Sequence, residues 1–188
     1  MSNQFSFVDL QNMKVLIIGE VGSGKTSFLS KLLKEALEKG LKNDITVIDL
    51  APKRIENEGV KIGGKISDFF LLVEKVRYLA PTIETPRLSA GSAQELIHLV
   101  NLNKKKIERV LDIYNQKPSM ILFVNDVSLY FQAGVYKKFF LAVKKAETVL
   151  GMGTQSRILA LTVAKKAMKT VAVDITPKLL SAQRKTQG

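Results

Sequence analysis

Residues 13–27 read MKVLIIGEVGSGKTS, and this stretch decides the architecture. Met13 to Ile18 is a short apolar run rich in β-branched residues and closed by Gly19, which reads as a buried strand. From Ser27 to Lys39, Phe28, Leu29, Leu32, Leu33, Ala36 and Leu37 fall on one helical face, and Gly40 is a natural stop. Between strand and helix, Gly19, Gly24, Lys25 and Thr26 keep the spacing G-x-x-x-x-G-K-T. That spacing points a row of backbone amides into one small concavity, with glycines where a side chain would block the turn. Gly22 and Gly24 supply this freedom. The amides from Val21 to Thr26 are then free to wrap phosphates, and the helix beginning at Ser27 adds the partial positive charge of its N-terminus. Lys25 reaches the terminal phosphates as a point charge, and the Thr26 hydroxyl is a ligand for Mg²⁺.

Outward from this unit, strands and helices alternate. ITVIDL at 45–50 reads as a second strand closed by Ala51-Pro52, followed by a polar loop from Pro52 to Lys65 with a short strand around Val60 to Ile62. Phe69, Leu72, Val73, Val76 and Leu79 keep helical spacing and predict a helix over Asp68 to Leu79, and Pro81 to Gly91 reads as a second loop. Ser92 and Glu95 form a capping box that opens a long helix to Asn115, with Leu96, Val100, Ile107, Leu111 and Tyr114 as its apolar stripe. Then come a strand at Met120 to Val124, a helix at Val135 to Ala146 and a strand at Thr148 to Gly151. A helix at Ser156 to Met168 and a strand at Val171 to Ile175 complete the series. Such alternation implies one α/β domain over 1–188, a mostly parallel sheet covered on both faces. The termini, 1–11 and 181–188, are expected to be loosely held.

Composition narrows the chemistry. The 188 residues contain no cysteine and one histidine, His98, which removes thiol catalysis and cysteine-ligated metals and leaves a histidine-built centre a poor fit. His98, on the long helix, reads as a packed or half-exposed residue. No apolar run approaches the twenty residues of a membrane span, and no leader pattern opens the chain, so a cytoplasmic protein is expected. Lys and Arg number 29 against 17 Asp and Glu, a net charge of +12. That excess attracts polyanions, yet the basic residues lie in separate clusters, so nucleic acid is a weaker expectation than a solvated surface. Lys137, Lys138, Lys144 and Lys145 repeat at sevenfold spacing and read as one solvated helix face.

With GEVGSGKTS on the page, the chain resembles the P-loop NTPases, whose Walker A loop this is. The resemblance is specific over Met13 to Pro52 and implies a three-layer α/β fold with a mostly parallel central sheet. It also implies a phosphate cradle made of Gly19, Glu20, Val21, Gly22, Ser23, Gly24, Lys25, Thr26 and Ser27. A second strand ending VIDLAP looks like the SIMIBI group, which includes the GPN-loop GTPases. There an acidic residue at the end of that strand lies near the magnesium and the attacking water, and Asp49 occupies the place here. The resemblance further asks for a Walker B carboxylate at the end of an apolar strand beside the P-loop. MILFVND offers Asn125 and then Asp126, and Asp126 is preferred because asparagine lacks the charge that orders a magnesium shell. Val127 follows instead of glutamate, which argues against the RecA and AAA+ branches.

No NKxD or TKxD motif, DxxG switch or Gly-Pro-Asn insert occurs, so ATP is slightly favoured over GTP. Val149 to Thr154 sits where a base-recognition loop would lie, with Thr154 and Gln155 as polar candidates. Arg77 and Arg87 flank the prolines of the second loop and suit the charge on a transferred phosphoryl group, though an ordinary surface salt bridge is preferred for both. The expected function is Mg²⁺-dependent triphosphate binding with slow hydrolysis, a nucleotide-dependent switch meeting a protein partner through residues 53–91. Two rivals stand beside it. One is a phosphotransferase acting on a small molecule or polynucleotide end; the other is a nucleic-acid-binding module regulated by nucleotide.

Overall fold

β1 (Lys14–Gly19) lies inside a parallel sheet, and every pairing in that sheet is parallel. The computed structural model describes residues 5–53, 55–57, 60–62, 64–133, 136–154 and 170–174. In chain order the elements are α1 (Phe7–Leu10), β1, α2 (Lys25–Glu38), β2 (Ile45–Asp49), β3 (Ile55–Asn57), β4 (Val60–Ile62) and β5 (Arg77–Leu79). Then follow α3 (Pro86–Ser89), α4 (Ala93–Gln116), β6 (Ile121–Asn125), α5 (Ser128–Phe131), α6 (Lys137–Lys145), β7 (Thr148–Thr154) and β8 (Thr170–Asp174). Among the described residues six strands form the main sheet in the order β5-β2-β6-β7-β1-β8, and β3 and β4 make a separate antiparallel hairpin.

The period-two alternation of the strands sorts the core into two layers. Val15 and Ile17 of β1 and Val47 of β2 face α2, packing with Leu29, Leu32, Leu33 and Ala36. Leu16 and Ile48 face the other way, toward Ile107, Leu111 and Tyr114 of α4 and Phe139 and Val143 of α6. β2 and β6 are buried along their whole lengths, as strands covered on both faces must be. The result is the expected three-layer α/β fold, with helices on each side of a mostly parallel sheet.

Three expectations need correction. First, Asp68 to Leu79 is not a helix: it is a 3-10 turn at Ile66–Asp68, another at Leu71–Lys75, and the edge strand β5. The apolar spacing fitted a helix, but Arg77, Tyr78 and Leu79 pair with Thr46, Val47 and Ile48, and the pairing satisfies one edge of β2. Second, the N-terminal residues from Phe5 to Gln11 are held in place. Ser6 and Asp9 cap α1 reciprocally, the Phe7 amide donates to Glu35 Oε2 at 2.6 Å, and the fully buried Phe7 ring stacks on Phe123 with centroids 6.5 Å apart.

Third, β7 continues to Thr154 as a central strand between β6 and β1, with Val149, Leu150 and Met152 buried. Val149 to Gly153 is therefore buried strand, and Met152 also lines a cavity. In the sheet β7 stands between β6 and β1. The expected short strand near Val60 is present as β4, and the final strand is present as β8. The helix expected at 156–168, Gln155 and the tail 181–188 lie outside the described residues.

Candidate functional site

The loop after β1 takes the shape its glycines allow. Gly22 and Gly24 have φ of 79° and 88°, a left-handed conformation, and nothing lies within 4 Å of where their Cβ atoms would be. Glycine is required here by the backbone and not by crowding. Gly24 is the N-cap of α2 and makes no side-chain cap hydrogen bond, so the dipole end of a 14-residue helix meets the loop uncapped. Lys25 curls back into its own loop at 7% exposure, donating to the Gly19 carbonyl at 2.8 Å, to the Glu20 carbonyl and to Ser23 Oγ at 3.4 Å. Those bonds hold an ammonium beside the concavity that an incoming phosphate would enter.

This loop forms one wall of a cavity of about 560 Å³. Val21, Gly22, Gly24, Lys25, Thr26 and Ser27 line it, whereas Gly19, Glu20 and Ser23 serve instead as the lysine's partners. Asn125 and Asp126 line the same cavity at the end of β6. Ala51, Pro52, Gly64 and Phe69 contribute from the segment after β2, and Glu84 to Leu88 from the segment carrying α3. Phe69 is 43% exposed here.

Asp126 has a left-handed φ of 55°, which aspartate tolerates better than most residues, and its Oδ1 accepts from Ser128 Oγ. Burial pushes its carboxyl above the ordinary range; the Ser128 bond and the Lys25 charge pull it back, and the Asp49 charge pushes further up. A carboxyl that feels the Lys25 charge inside the cavity suits an ordered cation shell. Thr26 and Asp126 fit Mg²⁺, which keeps most of its waters and takes few protein ligands.

Asn125 was passed over in the sequence for want of charge, yet it is the residue at the strand end. It is fully buried, and its Nδ2 donates to Asp49 Oδ1 at 2.8 Å and to the Gly64 carbonyl at 3.3 Å. Its Oδ1 has no partner among the described residues, although it is buried and belongs to a cavity-lining side chain. Buried acceptors are rarely left so, and this one suits a water or ligand hydrogen. The strand-end rule that found Asp126 would have found Asn125 one residue earlier.

Asp49 is placed differently from expectation. It is fully buried and does not line the cavity. Oδ1 accepts from the Ala51 amide and Asn125, and Oδ2 from the Ile66 amide at 2.6 Å and Tyr78 hydroxyl at 2.7 Å. Burial raises its pKa, opposed by the hydrogen bonds from Tyr78, Ile66 and Asn125 and by the charge of Lys65. With four donors on two oxygens, Asp49 ties β2, β5, β6 and the turn at Ile66 together.

The arginines separate. Arg77 donates to the Lys117 carbonyl and, at 2.9 Å, to the Ile113 carbonyl, so it caps the C-terminus of α4 where a surface salt bridge was expected. Arg87, on α3, lines the cavity. Among the lysines, Lys138 pairs with Asp112 at 2.6 Å and Lys145 donates to the Asn115 carbonyl, joining α6 to α4, while Lys137 and Lys144 are exposed. His98 is exposed on the first turns of α4. Among the described residues no three His, Asp or Glu side chains gather into a metal cluster, and no helix is long and apolar enough to cross a membrane.

No family model and no curated protein matches the chain. Among solved structures it is similar to the flagellar accessory protein FlaH from Methanocaldococcus jannaschii. The identity is 11%, the match covers 86% of this chain and 71% of that one, and the TM-score is 0.45. It is also similar to the Pif1 helicase from Candida albicans at 12% identity, covering 87% of this chain and 36% of that one, with a TM-score of 0.40. Both likenesses are too distant to carry a function across.

Proposed function

We propose that this chain binds a nucleoside triphosphate with Mg²⁺, hydrolyses it slowly and uses the bound nucleotide as a switch. One observation carries the reading: a single cavity gathers Gly22, Gly24, Lys25 and Thr26 with Asn125 and Asp126. The loop amides and the α2 N-terminus receive the phosphates, and Lys25 leaves its carbonyls to bridge the β and γ groups. Thr26 and Asp126 would hold Mg²⁺, Asp126 through a bound water; the ion supplies charge neutralisation as the terminal phosphoryl departs. Asn125 Oδ1 accepts a hydrogen from a water in the cavity, and Asp49, by accepting from Asn125 Nδ2, keeps that oxygen turned away from itself. Asp49 is thus a positioning residue.

Residues 53–91 support the switch half of the reading. Gly64 accepts from Asn125, the Ile66 amide donates to Asp49, and Phe69 and Glu84 to Leu88 line the cavity. A change in cavity occupancy therefore bears directly on the segment proposed to meet a protein partner. ATP is preferred to GTP because the sequence lacks a guanine-reading fork.

The test is binding and turnover with Lys25→Ala as comparison. A saturating nucleotide at a hundred times its dissociation constant should stabilise the wild type by about 2.7 kcal/mol, visible as a rise in Tm. Lys25→Ala should lose both the shift and the release of phosphate. Turnover within about threefold of wild type, under ~1 kcal/mol of barrier, would remove the loop from the chemistry. Label recovered on an added hydroxyl acceptor instead of as free phosphate would make the protein a phosphotransferase.

A further inference from the structure

The nucleotide reading leaves one charged residue of the cavity without a task. Arg87 lies on a different wall from the phosphate loop and makes no ion pair with any described carboxylate. The acidic residue nearest in sequence, Glu84, also lines the cavity, but its carboxylate is engaged by Lys106 at 2.7 Å. Arg87 is therefore the uncancelled charge of this wall.

Its carrier segment is anchored more firmly than a surface loop requires. Asn103, buried on α4, accepts from the Glu84 amide at 2.9 Å and donates to the Glu84 carbonyl at 3.0 Å, a two-bond clamp of side chain on backbone. Pro86 begins α3, and Thr85 and Ser89 share a hydrogen bond of 2.8 Å across its single turn. Ile83 and Pro86 are buried beneath the segment. The backbone that carries Arg87 is thus fixed to α4 at the cavity wall, while the Arg87 side chain is exposed and open to an anion.

From this placement we propose that Arg87 recognises the terminal phosphate, discriminating triphosphate from diphosphate, and that the Glu84–Asn103 clamp passes the nucleotide state to α4. The proposal rests on the P-loop reading and deepens it. Lys25 serves the phosphates common to both nucleotides, so an added charge on a separate element is what a state-reading site needs. The receiving element also has an uncovered end: in the first turns of α4, Leu96 and Ile97 are 38% and 59% exposed. A displacement handed from Glu84 to Asn103 reaches that end through one continuous helix.

The experiment titrates a non-hydrolysable ATP analogue with an imido β–γ bridge, and separately ADP, each with Mg²⁺, into wild type, Arg87→Ala, Arg87→Lys and Lys25→Ala. Arg87→Ala should weaken the analogue by about tenfold or more and ADP by less than about threefold, as loss of a charge-assisted contact to one phosphate predicts. Arg87→Lys should recover part of the difference. In the wild type the analogue, and not ADP, should slow amide exchange over 84–103, and Arg87→Ala should abolish that contrast. Equal effects on both nucleotides, or none, would overturn the proposal while a dead Lys25→Ala left the nucleotide reading standing. A Lys25→Ala that still binds, or a wild type that binds neither nucleotide, would take both down.

Discussion

At the residue scale, two aspartates with raised pKa values, Asp49 fully buried and Asp126 half-buried, have opposite tasks, and asparagine substitution separates them. Asp126 keeps its Ser128 bond when changed to asparagine and loses only a charge that burial opposes. Its folded pKa lies above the unfolded value, so the folded state binds the extra proton, and stability falls as pH rises from the ordinary carboxylate range through the folded pKa. Asp126→Asn should therefore raise the Tm of the nucleotide-free protein near neutral pH, by a margin that shrinks as pH is lowered toward that range. Turnover should drop about ten- to hundredfold and need more Mg²⁺, the usual cost of losing a shell-ordering group. A pH-independent Tm margin would sink the assignment. Asp49→Asn should do the reverse. Four donors converge on its oxygens, and an amide in their midst sets N–H against N–H. The variant should lose about 1–3 kcal/mol in chemical denaturation, the cost of a buried donor left unsatisfied.

At the scale of elements, what could be read in the sequence was what is encoded locally. The phosphate loop is one such case, because positive φ at Gly22 and Gly24 is a property of those residues themselves. Asn125 and Arg87 could be read there only as secondary candidates, for the same reason inverted. Their importance arises only when β7 inserts between β1 and β6 and when α3 is clamped over the strand ends, both long-range events. The stretch from Phe69 to Leu79 misled because its apolar residues fit a 3.6-residue period while the unpaired edge of β2 drew its last three residues into a strand. The N-terminus misled through brevity: four residues of α1 show no period at all. Their packing gives a direct prediction. Phe7→Ala removes a fully buried ring stacked on Phe123 and should cost about 3–5 kcal/mol, measured by urea unfolding. A loss below about 1 kcal/mol would return residues 5–11 to the status of a loose end.

Over the whole molecule the question is what the +12 charge serves. Tight nucleic-acid binding needs several lysines to meet phosphates together, each neutralised phosphate releasing a counterion. The described structure engages six of the 29 basic residues internally. Lys106 and Lys138 hold carboxylates, Lys65 and Lys145 donate to backbone carbonyls, Arg77 caps α4 and Lys25 is folded into its loop. Of the sevenfold-spaced lysines Lys138 and Lys145 bond across the seam between α6 and α4, Lys145 while still exposed, which leaves Lys137 and Lys144 as the pair outside the seam. Two charges make a weak footprint. Binding to duplex or single-stranded nucleic acid should then be weak and change little with salt. Six or more contacts would instead lose roughly a thousandfold between about 50 and 200 mM. The measurement is a salt titration by fluorescence anisotropy on wild type and on Lys137→Glu with Lys144→Glu. The double variant exchanges exposed charges and leaves the seam intact, so any loss of affinity belongs to the surface. Micromolar binding at about 150 mM salt that the double variant abolishes would make nucleic acid a partner of this face. A shallow slope shared by both proteins leaves the nucleotide cavity as the polyanion site of the described structure.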